Sequence, residues 1–325
     1  MLSKLKIILG ISILTTGVMP ASAQTKPLTE TRNAALRYWL SFADLQDPPA
    51  DQTTMDLLEK TAAGQASWDE AKLGPILDKN EAAITGMQRA TKLPECDWGL
   101  EYSQGLRAPI GYASKARVLA RLNTLYGMRL AAKGDFGRAT DTWLAGIRFS
   151  QHLSQGGPLI FLLIAKTALL SDLNAMTLAA GKPSFPLAEK QRIETALRNL
   201  PESAYDWGEA LRLEEVSIEM FADELARSPE PAKLYATVMG DEAARTFSVP
   251  TAKDRANFHQ LMLGAENALR QPPDAAGERL KKFQEAISTF SVFFVQTTPS
   301  LTKQNEARAE IAAARTRLLQ ALATN

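Results

Sequence analysis

Two charged residues stand in the middle of apolar helical stripes, and they are where chemistry is first looked for. Between Pro158 and Ala180, Lys166 falls among Leu159, Leu162, Leu163, Leu170 and Leu173. Between Trp207 and Leu225, Glu214 falls among Trp207, Leu211, Ile218, Phe221, Ala222 and Leu225. An ammonium or a carboxylate withdrawn from water is costly unless an opposite charge or water meets it. Lys166 and Glu214 are therefore expected to be buried or to line a cleft, and pairing with each other would satisfy both. A core ion pair, a lysine reaching back to solvent along its own stem, and a pocket for a polar ligand all fit that pattern.

Other reactive constellations are sparse. Two histidines, His152 and His259, and one cysteine, Cys96, do not suggest a His/Cys zinc site, and no D-x-D-x-D-G calcium loop occurs. There is no G-x-S-x-G elbow and no glycine loop of the kind that cradles phosphates or dinucleotides. His152 is expected at a helix end with its charge favoured by the helix dipole. His259, amid Phe258, Leu261 and Leu263, reads as a partly buried packing residue. Acids are numerous enough for a glycosidase on a helical barrel, but nothing singles out a pair. No catalytic residue, metal or cofactor is assigned, and the balance leans away from an enzyme.

The elements that must position these residues are helices. Between Pro and Gly breaks the chain carries helical rather than alternating periodicity, rich in Ala, Leu, Glu, Arg and Lys. Helices are predicted near 28–46, 51–64, 75–92, 113–133, 136–154, 158–180, 187–199, 207–227, 231–239, 251–270, 275–297 and 301–323, an all-α class. SVFFVQTT at Ser291–Thr298 is the one strand-like run, and it continues a helical pattern. Asp47-Pro48-Pro49 and Gly156-Gly157-Pro158 are breaks, because proline removes a donor and disfavours helical geometry in the residue before it. The segment Leu93–Gly111 is the longest irregular stretch, with Gly105, Pro109 and Gly111 near its end. Glu215, Glu219 and Asp223, spaced i, i+4, i+8, read as a solvated face. Leu301–Ala323 has a narrow, Ala-rich apolar side suited to packing on other helices.

The first residues carry Lys4 and Lys6, an apolar run from Ile7 to Met19, then Pro20 and Ala21-Ser22-Ala23. That is the layout of a secretory signal peptide cleaved after Ala23, so a periplasmic or secreted protein with no membrane anchor after cleavage is expected. Residues 24–325 would form a single all-helical domain. Removing residues 1–23 takes two of the 37 Lys+Arg and none of the 36 Asp+Glu, leaving a net charge of −1. Nothing there suggests a nucleic-acid partner. With a single cysteine, stability must come from packing rather than an internal disulfide.

Within this frame the stretch Leu125–Phe149, LYGMRLAAKGDFGRATDTWLAGIRF, resembles a tetratricopeptide-repeat hairpin. Tyr126-Gly127 sits where that family has Leu-Gly, and Leu130 stands at the following aromatic position. Lys133-Gly134-Asp135-Phe136 makes the inter-helix turn, and Ala139, Trp143 and Gly146 follow at the family's small, aromatic and small positions. Asn123 stands where the first large residue belongs, Gln151 replaces the terminating proline, and no second copy of equal quality is found. The physics agrees: Gly127, Ala139 and Gly146 would let two helices approach closely, Trp143 would fill the space between hairpins, Gly134 would stop the first helix and Asp135 would cap the second. The resemblance implies antiparallel hairpins stacked as an irregular solenoid or bundle that offers a concave surface to a protein or peptide partner. Carried onto this chain, that surface includes Arg121, Thr124, Met128 and Ala132, with Arg121 able to hold a partner's carboxylate. The competing expectation is that these residues pack on the preceding helix, and the competing function is a periplasmic enzyme or small-ligand binder with a polar pocket around Lys166 and Glu214.

A second internal echo pairs LPECDWG at 93–99 with LPE and DWG within 200–208. If it records a duplication, Trp98 and Trp207 should occupy equivalent places; otherwise each tryptophan simply anchors a loop to a core.

Overall fold

The structure, a computed structural model, describes residues 31–46, 51–108 and 110–324. The expected leader with its cleavage after Ala23, the break at Pro48-Pro49 and the position of Pro109 lie outside the described residues. Those residues are all-α. In chain order the helices are α1 (Ala34–Asp44), α2 (Gln52–Ala62), α3 (Glu70–Lys79), α4 (Glu81–Ala90), α5 (Tyr112–Ala132), α6 (Phe136–Ser154), α7 (Leu159–Ala180), α8 (Leu187–Asn199), α9 (Trp207–Arg227), α10 (Pro231–Met239), α11 (Asp241–Ala244), α12 (Ala252–Leu269), α13 (Pro273–Ile287), α14 (Val292–Thr297) and α15 (Leu301–Ala323). Among the described residues the only extended pairing is an isolated bridge between Asn33 and Glu95.

Local chemistry accounts for the boundaries. Asp51, Asp69, Asp135, Asp206, Thr251 and Ser300 each accept a backbone N–H in the first turn of the helix they open. The helix expected over 75–92 is two, because the buried Asn80 leaves helical geometry; its side chain accepts the Gln46 N–H at 2.8 Å and donates back to the Ile76 carbonyl of α3 at 2.9 Å. The helix expected over 275–297 also divides. Ser291 takes an extended conformation after the Ser288–Phe290 turn, and SVFFVQTT folds as the short α14, with Phe293 and Phe294 buried.

The centre is a three-helix junction of α5, α6 and α7, each packed on the other two. The three-residue turn Lys133–Asp135 makes α5 and α6 an antiparallel hairpin, and Gln155–Pro158 returns the chain into α7. Helix α7 is long and apolar enough to cross a membrane by length and composition, and most of it is buried inside the protein. Its surroundings explain its composition, since it is contacted by α5, α6, α9 and α15. Helix α8 does not close a second sequential hairpin on it; α7's principal later partner is α15, while α8 lies against α6 and α15. Helices α12 and α13 extend the packing between α9 and α15, and α1–α4 cover α5 and the neighbouring side of α6.

The irregular stretch from Leu93 is an ordered crossing. The Ala34 N–H bonds the Glu95 carbonyl at 2.7 Å, and Trp98 inserts its ring between Tyr38 and Tyr112, 4.3 Å from the latter and nearly parallel to it. Tyr112 in turn stacks on Phe161, so an aromatic file joins α1, the crossing, α5 and α7. The 3-10 helix Tyr102–Arg107 then seats on α9. Gly105 is required there: its φ is +55°, and a Cβ would lie 2.9 Å from the Ser217 carbonyl.

Candidate functional site

Of the α5 face expected to be open, Arg121 and Thr124 are engaged by the chain itself, whereas Met128 is half-buried and Ala132 is exposed. Arg121 Nη2 lies 2.9 Å from Glu59 Oε1 on α2, and Arg129 holds Glu70 and Asp78 on α3, each at 2.5 Å. The Glu59 carboxylate on α2 thus takes the place of the partner's carboxylate that the resemblance implied for Arg121. Thr124 is fully buried, donating its hydroxyl to Asp172 Oδ1 at 2.6 Å. Met128 is half-buried and faces an apolar cavity.

The hairpin residues sit at close approaches. Trp143 is completely buried and donates its indole N–H to the Thr124 carbonyl at 3.2 Å, directly against Gly127. Ala139 is buried, and Gly146 lies so near Asp172 Oδ2 that a Cβ would overlap it and would sit 2.9 Å from Asn123 Nδ2. Gly134 takes φ +79° after α5, and Asp135 Oδ1 accepts the Arg138 N–H at 3.3 Å.

Lys166 and Glu214 do not meet. Lys166 Nζ pairs with Glu310 Oε2 on α15 at 2.5 Å. Glu214 Oε2 accepts the Leu159 N–H at 3.1 Å, at the first turn of α7, where the helix dipole favours an anion. Seven residues of helical rise, about 10 Å, separate Leu159 from Lys166, and that spacing keeps the pair apart. Burial pushes the Glu214 carboxyl up to about 7.

The histidines also depart from expectation. His152 is fully buried, its Nδ1 is 2.6 Å from the Tyr38 hydroxyl, and burial lowers its pKa to about 4, so it is neutral rather than a charged helix end. His259 is 54 % exposed and bonds Glu215 Oε1 at 2.7 Å, which raises its pKa. Glu215 itself is buried against α12, so it does not belong to a solvated face, and Glu219 and Asp223 hold Arg255 of α12. The two tryptophans of the internal echo differ in setting. Trp98 lies in the crossing and donates to the distant His152 carbonyl at 2.8 Å, whereas Trp207 opens α9 and donates to the Ser203 carbonyl four residues before it at 3.0 Å.

Two clefts flank α6. One, of about 570 Å3, lies where the end of α6 meets the start of α9, lined by Arg148, Gln151, Gly156, Trp207 and Arg270. Ala204, in its wall, holds φ +60°, a strained conformation for a residue with a Cβ. The other, of about 530 Å3, lies between α4 and α6, lined by Gln88, Lys92, Arg138, Asp141 and Arg148. Arg148 belongs to both. It is half-buried, has no carboxylate partner among the described residues, and makes one long hydrogen bond, 3.4 Å to Gln151 Oε1. A guanidinium in this state is equipped to receive a carboxylate or phosphate. Among the described residues no cluster of three His, Cys, Asp or Glu side chains could hold a metal ion.

Asp172 and Arg148 are the residues that sequence reasoning passed over. Asp172 had a signal, a carboxylate within the nearly all-apolar α7. It is fully buried, its pKa stands well above the usual carboxylate range, and desolvation is the cause. Arg148 had none, since the neighbourhood that leaves it unpaired is assembled from α4, α6 and α9.

No protein-family model matches the chain, and no curated protein or solved structure matches it at a significant level.

Proposed function

We propose that this protein is an exported helical scaffold that binds an acidic segment of a partner protein along α6 rather than along α5. The observation that carries the reading is Arg148, a half-buried guanidinium without a carboxylate partner among the described residues, shared by the two clefts. From Arg138 to Gln151 the clefts follow one helix for 13 residues, about 20 Å, a track suited to an extended peptide. Lys92, Arg138 and Arg270 share the route with Glu81, Asp141, Asp206 and Glu209, so the guanidinium that stands there without a carboxylate among the described residues is Arg148. The likeness of the α5–α6 hairpin to a tetratricopeptide repeat supports the scaffold class, and the layout of residues 1–23 supports export to the cell envelope or beyond. Glu59 on α2 occupies Arg121, which moves the expected contact from Arg121 to Arg148.

The test is photo-cross-linking in the native envelope, with the reactive residue at Gln151. The expected result is a discrete set of partners, lost in Arg148→Glu and retained in Arg121→Glu. Equal capture by Arg148→Glu, or capture lost only in Arg121→Glu, overturns the reading.

A further inference from the structure

A third hollow, separate from the α6 clefts, has different chemistry. It measures about 380 Å3 and lies between α5, α7 and the loop joining α2 to α3. That volume is within the range of small-molecule sites, about 300–1,000 Å3. Met128 and Ala131 line it from α5, Ala175 and Leu178 from α7, and the completely buried Trp143 from α6, with Trp68 on the loop side. Small side chains on facing helices leave the space. The loop is seated tightly, since a Cβ on Gly64 would stand 2.8 Å from Leu178 Cδ1. Only one lining residue is charged: Lys182, exposed just beyond the end of α7 and without a carboxylate partner among the described residues.

An apolar hollow with a single unpaired cation at its exposed side is complementary to an apolar chain ending in an anion. Gln65 and Ser67 on the loop are the other polar side chains of the lining, and the walls from α5 and α7 offer water few partners. We infer that this cavity binds an acyl carboxylate, its chain among Met128, Ala131, Ala175 and Trp143 and its carboxylate at Lys182. The site is independent of the α6 track and of the partner-binding reading.

The inference is tested by calorimetric titration of the purified protein with hexanoate, octanoate and decanoate, with decanol and decyltrimethylammonium as controls. Each methylene added within the cavity should tighten saturable binding about fourfold. Decyltrimethylammonium should bind at least tenfold more weakly than decanoate. Lys182→Glu should weaken decanoate at least tenfold and leave decanol unchanged, and Ala132→Phe, at an exposed lining position, should abolish binding of both. Both variants change exposed residues, and unchanged melting temperatures verify that they fold. Non-saturable decanoate uptake, the same affinity across the series, or binding that neither variant alters overturns the site. Equal affinity for decanoate and decanol, insensitive to Lys182→Glu, overturns the role of the anion.

Discussion

The Thr124 hydroxyl on α5 donates to Asp172 Oδ1 on α7 across 2.6 Å, inside a junction from which water is excluded. Desolvation pushes this carboxyl well above the usual carboxylate range, which favours its neutral form in the bond to Thr124. Asp172→Asn keeps the shape and the acceptor, and is expected to change unfolding free energy at pH 7 by less than about 1 kcal/mol. Thr124→Val removes the donor and should cost about 1–2 kcal/mol. Urea unfolding of the two variants checks the contrast; a larger loss in Asp172→Asn would mean that the native group is ionised.

The same junction leaves no room beside Gly146. A methyl there would overlap Asp172 Oδ2 and crowd Asn123, both fixed between buried helices. Gly146→Ala is expected to destabilise by about 3 kcal/mol despite alanine's better helix propensity. Gly127→Ala, against the Trp143 indole, should behave alike. Thermal unfolding measures both, and a stabilised variant would contradict the close packing of α5, α6 and α7.

Glu214 makes stability depend on pH in a defined direction. In the folded chain its carboxyl keeps its proton up to about pH 7, whereas the unfolded chain releases it near 4.5. Between those values the folded state binds more protons, so this residue's contribution falls as pH rises and the full penalty is reached above 7. Glu214→Gln retains an acceptor for the Leu159 N–H without the charge. It should match the parent at pH 4.5 and exceed it at pH 8 by an amount on the order of 2–3 kcal/mol. Denaturant midpoints at the two pH values decide this.

His152 acts with the opposite sign. The unfolded imidazole takes a proton below about 6.5 and the buried one only near 4, so its contribution is complete above 6.5 and is lost as pH falls toward 4. His152→Asn, which can still meet Tyr38, should be less stable than the parent at pH 7. That deficit should shrink steadily on acidification to pH 4.5. A constant deficit across the range would show that the histidine is not buried in its neutral form.

The Lys166–Glu310 pair is a contact at the edge of the core, with Glu310 57 % exposed. Glu310→Ala is expected to cost less than about 1 kcal/mol, with the effect diminished by salt. A loss several times larger, measured by chemical unfolding, would place Lys166 in the interior proper.

How far these sites could be read in advance followed the range of the interactions involved. Helices α8, α9, α10 and α15 begin and end where their local signals say, because Pro186, Asp206, Pro231 and Ser300 act within one turn. The division of α13 from α14 had no such marker, since Ser288–Ser291 contains neither proline nor glycine and the turn follows from burying Phe293 and Phe294. Lys166 was recognisable as a charge within an apolar stripe, but its partner lies 144 positions away on α15. The resemblance at Leu125–Phe149 pointed to the α5 face. That Glu59 would pair with Arg121, and Glu70 and Asp78 with Arg129, depended on α2 and α3 folding back, which no spacing within the hairpin encodes. Arg148 was silent for the same reason.

The pairing of α7 with α15 also sets an order of events. About 120 residues, Gly181 to Ser300, separate the two helices in the chain. The most apolar helix of the fold therefore waits for its principal later partner until nearly all of the polypeptide is available, and long-range closures of this kind are slow. Until α15 arrives, one flank of α7 is sticky surface, of the sort that holdase chaperones shield and that aggregates when left bare.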